Sequence, residues 1–363
     1  MMKGLKFSVG IALMGAVALV NAPQVSADLG GTITFTEPAG ALVMPYDQTE
    51  GVQSFQIISR IGGNLGGDTI ATHWSFWSKD CDHLADIFVC LTPNDTTIVD
   101  PSALQNEVQN GNENQKIGGI IDLTGTKGLV TVTAFEADLD APGCSVFDAE
   151  AVLENQITGG WTIANITTVA SFSHDAIGFN LDTAGFPDSA ILGDGDTSFP
   201  GLKIQSFNPE TLEDSEVILL AIEFSEDSGN GLFIGSEIVP PTRSYQVAGG
   251  EIVRVCCDVA YVDNVESRIS LPDFCFNCVG FAPLTESLAA EGETAIVPPI
   301  TSLDAPGYLH LTNCETQQND PSEGGPELLG SVNSDQFLFG FHGMAVGPFG
   351  AVVTGKYTNV DFQ

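Results

Sequence analysis

Two acidic clusters have residue types and spacing suited to binding a divalent cation. Asp194-Gly195-Asp196-Thr197 lies in the Gly- and Asp-rich run from Asp182 to Gly201 and matches the opening of a calcium loop. Its carboxylates stand two apart around a glycine that permits a tight bend. The twelfth place counted from Asp194 is Gln205 and not Glu, so the helical-hand pattern is incomplete. Glu136, Asp138 and Asp140 close a strand-like segment, where alternation puts all three on one side. Ca²⁺ is the cofactor these carboxylates would take, although nothing in the sequence requires one. Acidic solvated loops are the competing reading at each cluster.

The densest mixture of ligating types is Asp80-Cys81-Asp82-His83, with Asp86 and His73 nearby. A transition metal would suit it, but a bridge from Cys81 to Cys90 across a short loop is the simpler expectation. His174-Asp175 and His310 supply base and acid types for acyl transfer, which also needs a positioned nucleophile. No Gly-x-Ser-x-Gly elbow, His-Glu-x-x-His pair or Gly-rich phosphate loop accompanies them. The sequence therefore nominates no catalytic residue. A secreted hydrolase acting on polysaccharide or ester is the alternative reading. A carbohydrate-binding module is a further one, in which an exposed Trp77 stacks on a sugar ring while Trp74 and Phe76, on the other face of the same strand, pack a core.

All eight cysteines, Cys81, Cys90, Cys144, Cys256, Cys257, Cys275, Cys278 and Cys314, follow the first 27 residues. An even count in an exported chain favours disulfides. Val259 to Tyr261 and Arg268 to Ser270 read as hairpin arms turning near Asp263 to Glu266. One register with a one-residue bulge would oppose Cys257 to Cys275 and Cys256 to Cys278, leaving Cys144 and Cys314 as remaining candidates. A four-thiolate zinc site is the second reading, made awkward by adjacent cysteines that point apart on a strand. A redox Cys-x-x-Cys is third, because Cys275 to Cys278 sits in a strand pattern and not at a helix N-terminus.

The charge narrows the partners. Eleven Lys and Arg face 47 Asp and Glu, a net −36, and no Lys or Arg occurs between Lys127 and Lys203 or between Arg268 and Lys356. Phosphate neutralisation needs a basic patch, so nucleic acid and anionic lipid are excluded. Residues 1–27 read as a signal peptide, with Lys3 and Lys6, an apolar stretch from Phe7 to Val20, and Val25-Ser26-Ala27 for cleavage. Cleavage removes two basic residues and no acidic ones, which deepens the net charge to −38. The expected location is secreted or cell-surface, with the periplasm as the other compartment. No mature segment suits a spanning helix. Three Trp and five Tyr are few for the aromatic girdles of a membrane barrel.

The elements that would position these residues are strands. Apolar segments are short, rich in Val, Ile, Thr and Phe, and bounded by Gly, Pro, Asn or Asp. Leu129 to Ala134 alternates as a half-buried strand does. Turns of helix are expected only at Ser102 to Val108 and Val146 to Glu154. A faint duplication runs through the chain. Gly128 to Thr133 matches Gly307 to Thr312 at an offset of 179, and Ile157 to Trp161 matches Leu328 to Val332 at 171. The Cys81 and Cys90 strands likewise take the places of the Cys256-Cys257 and Cys275-Cys278 arms. The expected fold is thus all-β, as two tandem related antiparallel β-sandwiches, 28–208 and 209–363, joined at Asn208 to Asp214. The expected role is non-enzymatic, in structure, adhesion or assembly, with other surface proteins, itself or glycans as partners.

Overall fold

The computed structural model describes residues 38–61, 69–80, 82–105, 120–136, 155–165, 170–179, 198–199, 202–207, 215–225, 237–239, 253–263, 265, 267–277, 279–283, 307–320, 325–328, 336–346 and 351–357. Within them the protein is all-β, and every strand pairing is antiparallel.

The earlier strands are β1 (Ala41–Asp47), β2 (Val52–Arg60), β3 (Ile70–Ser78), β4 (His83–Leu91), β5 (Thr96–Val99) and β6 (Leu104–Gln105). They continue with β7 (Ile120–Ile121), β8 (Lys127–Glu136), β9 (Ile157–Asn165), β10 (Ala170–Asp175) and β11 (Ile177–Phe179). One sheet has the order β11-β1-β8-β3-β4, a second β10-β9-β2-β5, and β6 pairs with β7. The first two share one core. Tyr46, Trp74 and Phe76 of the first sheet meet Ile58 and Trp161 of the second, all fully buried or nearly so. Trp74 and Phe76 thus take the packing role that alternation assigned them.

The helical turn expected over Ser102 to Val108 is only a 3₁₀ turn at Pro101–Ala103. Asp100 caps it by accepting from the Ser102 amide and hydroxyl at 2.9 and 2.7 Å, and Leu104 then leaves to pair with Ile121. The second expected helical stretch, 146–154, lies outside the described residues.

A second departure from expectation concerns β8. Thr131 and Thr133 are buried, like Val130 and Val132, so this strand is covered on both faces. The alternation marks one apolar and one polar interior face, not a core face and a solvent face. Gly128, the second residue of the strand, pairs with Tyr46 and Ser78, and a Cβ there would overlap the Trp77 carbonyl oxygen. Gly128→Ala is expected to destabilise the protein by about 2–3 kcal/mol, the usual cost of overpacking against rigid backbone. Urea unfolding would show it, and a loss below about 0.5 kcal/mol would contradict the packing.

The later strands are β12 (Ser198–Phe199), β13 (Leu202–Phe207), β14 (Ser215–Ser225), β15 (Glu237–Val239), β16 (Val253–Asp263) and β17 (Arg268–Phe276). After them come β18 (Val279–Pro283), β19 (Gly307–Asp320), β20 (Gly325–Leu328), β21 (Gln336–Val346) and β22 (Ala351–Tyr357). One sheet runs β12-β19-β16-β17 with β13 and β20 also on β19; the other runs β15-β14-β21-β22 with β18 also on β14.

Six pairings of the earlier strands recur among the later ones in the same chain order. β1–β8, β3–β8 and β3–β4 correspond to β13–β19, β16–β19 and β16–β17. β2–β5, β2–β9 and β9–β10 correspond to β14–β18, β14–β21 and β21–β22. This recurrence corrects one expected match. β9 corresponds to β21, which begins 179 residues later, the same offset that relates Gly128 to Gly307; the 171-residue match to Leu328 pairs unlike strands.

The hairpin β16–β17 has the expected one-residue bulge but a different register. Val259 faces Leu271 and Cys257 faces Phe274, so Pro272 and Asp273 stand opposite Asp258. Cys256 therefore meets Cys275, and the two are disulfide-bonded, replacing the expected 257–275 and 256–278 pairs. A slip of one residue exchanges the faces of every side chain beyond it, which is why the neighbouring cysteine is the one that faces Cys275. Cys257 bonds instead to Cys314 on β19. There Asn313, at φ 48°, forms part of a second irregularity and donates from Nδ2 to Asp258 Oδ2 at 2.7 Å. Among the described residues no cysteine is free.

Candidate functional site

The polar interior face of the first sheet gathers the most concentrated chemistry in the described residues. Register places Ser75 opposite Asp86 on β4 and Thr131 on β8, and His73 opposite Phe88 and Thr133. Residues 83 and 86 are an odd number apart, so a regular strand would point them to opposite faces. The irregularity in the β3–β4 ladder, where Phe76 faces Ala85 but Trp77 faces His83, leaves Leu84 as the extra residue and turns His83 back toward Asp86.

Asp86 Oδ1 then accepts three hydrogen bonds: from Ser75 Oγ at 2.8 Å, His73 Nε2 at 3.1 Å and His83 Nε2 at 2.9 Å. His73 is buried and stacks on Phe88 with 4.7 Å between ring centroids. His83 is exposed at the rim, its ring 4.8 Å from that of Trp77. Burial alone would raise the Asp86 pKa, but the hydrogen bonds and charges of His73 and His83 outweigh it and hold this carboxyl well below the usual carboxylate range.

This grouping has the residue types of a hydrolytic triad without its connectivity. A Ser–His–Asp relay needs the acid on one imidazole nitrogen and the hydroxyl on the other. Here Asp86 bonds to His73 Nε2, Ser75 Oγ stands 3.4 Å from that same nitrogen, and the Ser75 hydroxyl donates to Asp86. The geometry clamps β3 to β4 and does not activate Ser75. Among the described residues no group of three His, Cys, Asp or Glu side chains is disposed to hold a metal ion.

The other sequence-nominated residues separate. Asp80 accepts from Lys79 Nζ at 2.9 Å and from Asn277 Nδ2 at 3.0 Å, so it is engaged away from the cluster. His174 lies on β10 opposite Trp161, with the rings 5.7 Å apart, while the next residue, Asp175, is exposed on the other face. Adjacent strand residues diverge in this way, so these two form no His–Asp relay with each other. His310 is half-buried on β19 between Lys203 and Ala260. Trp77 is buried, 2 % exposed, so the exposed ring that sugar stacking requires is absent there. Asp138, Asp140, Asp194 and Asp196 lie outside the described residues, as does the side chain of Glu136.

Sequence reasoning did not find the outward face of the β10-β9-β2-β5 sheet. Its rows read Asp175-Gly160-Ile57-Ile98, Ser173-Thr162-Phe55, Ser171-Ala164-Gln53, and Thr158-Ser59-Thr96. Hydroxyl pairs tie neighbouring strands, Thr162 with Ser173 at 2.7 Å and Ser59 with Thr96 at 2.8 Å. Ile98 is 64 % exposed and Ile57 37 %. Asp175 is the one charge in these rows. No protein-family model and no curated protein matches the chain. Among the described residues no helix is long and apolar enough to cross a membrane.

Proposed function

We propose that this is an exported, acidic, non-enzymatic protein that assembles with copies of itself at the cell surface or outside the cell. It is read as two related β-sandwich domains stapled by disulfides. The observation that carries the reading is the outward face of the four-stranded sheet. A chain with a net charge of −36 keeps this face nearly free of charge and sets Ile57 beside Ile98 on it. Exposed apolar pairs on a sheet mark contact surfaces, and β5 is an edge strand of that sheet. A second copy repels this one wherever acidic surfaces meet, so the uncharged face is where two copies approach at least cost.

Two further observations support the two-domain reading. The six recurring pairings share one chain order, and Trp74, Trp161 and their neighbours fill a single core between two sheets. Strands β12 and β13 pair with β19, so the join is proposed upstream of Ser198 and not at Asn208 to Asp214. Export is supported by the bonded cysteines.

Assembly is tested by sedimentation. Self-association is expected to strengthen with salt, which screens the acidic coat, and to weaken at least tenfold in Ile57→Glu/Ile98→Glu. A protein that stays monomeric at every salt and protein concentration would overturn the reading. So would turnover on a polysaccharide or ester panel that is lost in His174→Ala.

A further inference from the structure

We infer that copies of this protein join head to tail, with the outward face of β5 on one copy seated against the β16–β17 hairpin end of the next. This pairing of surfaces rests on the self-assembly reading and deepens it. Its template is the seam within the chain, where β18 makes the corresponding contact with the β3–β4 hairpin end.

The two hairpin ends are built alike. The Ser78 amide donates to the Asp82 carbonyl at 2.8 Å, and the Asp263 amide to the Ser267 carbonyl at 3.1 Å. Ser78 Oγ accepts from the Asp80 and Asp82 amides at 3.2 and 3.0 Å, and Asp263 Oδ1 from the Val265 and Ser267 amides at 2.9 and 2.8 Å. Each turn is thus tied to the side chain of its first residue, and Val265 is the counterpart of Asp80. Cys81, Cys144 and Cys278 lie outside the described residues, and the two hairpin ends match without them.

The strands that meet these ends correspond as well. β18 stands to β14 as β5 stands to β2, and Asn277 and Asn94 each lie two residues ahead of their strand. A Cβ on Gly280 would meet the rings of Phe274 and Phe276, so alternation turns Val279 and Phe281 away from β17. They join the core of the earlier sheets, and Lys127 Nζ stands 4.9 Å over the Phe281 ring. Beside them Asn277 Nδ2 donates to Asp80 Oδ1 at 3.0 Å, and the Val279 amide points to the Lys79 carbonyl at 3.5 Å. Ile98 is likewise turned away from its own core, which Val99 joins.

Within one copy β18 is docked, whereas β5 presents Ile98 to solvent and Val265 is 73 % exposed. Among the described residues the exposed large apolar side chains fall at these two places, Ile57, Ile61 and Ile98 around β2 and β5, Val265 and Ile269 on the hairpin. The charges are complementary. Exposed Arg268 lies beside Ile269, and Asp175 is the one charge in the outward row of Ile57 and Ile98. Because the two surfaces are unlike, every contact leaves one of each at the ends, and assembly continues past the dimer.

Sedimentation reads this geometry. The parent is expected to form species larger than a dimer, and Val265→Glu, which leaves β5 untouched, to weaken association at least tenfold, as Ile57→Glu/Ile98→Glu does. Mixed in equal amounts, these two variants are expected to form a heterodimer and nothing larger, since each keeps the surface that the other lacks. Unchanged association in Val265→Glu, or a parent that stops at a dimer, would overturn the head-to-tail contact and leave self-assembly standing. So would a mixture without heterodimer when both variants keep the circular dichroism of the parent. A parent that stays monomeric throughout would overturn both readings.

Discussion

Asp86→Ala is expected to lower stability by about 3 kcal/mol at pH 7, because it strips the acceptor from two imidazoles and a hydroxyl held against a buried sheet face. The loss has a pH signature of known sign. Asp86 has a folded pKa below that of the unfolded chain, so its stabilisation is complete above the unfolded value of about 3.9 and declines as pH falls below it. Parent and variant should thus converge progressively as pH falls below about 4. Many other carboxylates titrate in the same window, and subtracting the variant's curve removes them. Chemical unfolding at pH 7, 5 and 3 gives the test. A difference below about 1 kcal/mol at pH 7, or one unchanged at pH 3, would mean that Asp86 is not the hub of the clamp.

The two bridges of β16 are expected to rank by the length of chain they close. Cys257–Cys314 spans 57 residues and Cys256–Cys275 spans 19. Loop-closure entropy then gives about 4 kcal/mol for the first and about 3 kcal/mol for the second. Cys257 and Cys314 are also more deeply buried than Cys275. Cys257→Ala/Cys314→Ala should therefore lose more in urea unfolding than Cys256→Ala/Cys275→Ala. Removing both bridges should cost less than the two losses together, because the loops overlap and share the denatured ensemble. The reverse order would show that native packing around Cys275 outweighs the chain constraint.

Strand positions were legible because the punctuation is local. Leu129 to Ala134, read from its alternation, falls inside β8, and the hairpin arms Val259 to Tyr261 and Arg268 to Ser270 fall inside β16 and β17. β10 carries no such signal, because Ala170 to Asp175 is polar apart from Ala170 and Phe172, so its place beside β9 depends on pairing and not on composition. Cysteine partners depend on register, and register depends on irregularities. Nothing in Leu84 or Asn313 announces the residue that breaks a ladder, yet these positions decide which imidazole reaches Asp86 and lie beside the Cys257–Cys314 bridge. The second covered face of β8 was unreadable for a related reason. Thr131 and Thr133 look like solvent-facing residues until their neighbours across the sheet, Ser75 and His73, are known.

The seam at β18 sets an order of folding. Val279 and Phe281 are more than 200 residues from Ala41 and Met44, yet they complete the same core. The earlier strands therefore reach their final packing only after the chain is made through residue 281, and the contacts that close the core are among the most distant in sequence. Such contacts are formed late and slowly, because their loop entropy is spent before burial repays it. Until then the apolar surface awaiting β18 is open to water. During that interval the net charge of −36 keeps unfinished chains apart.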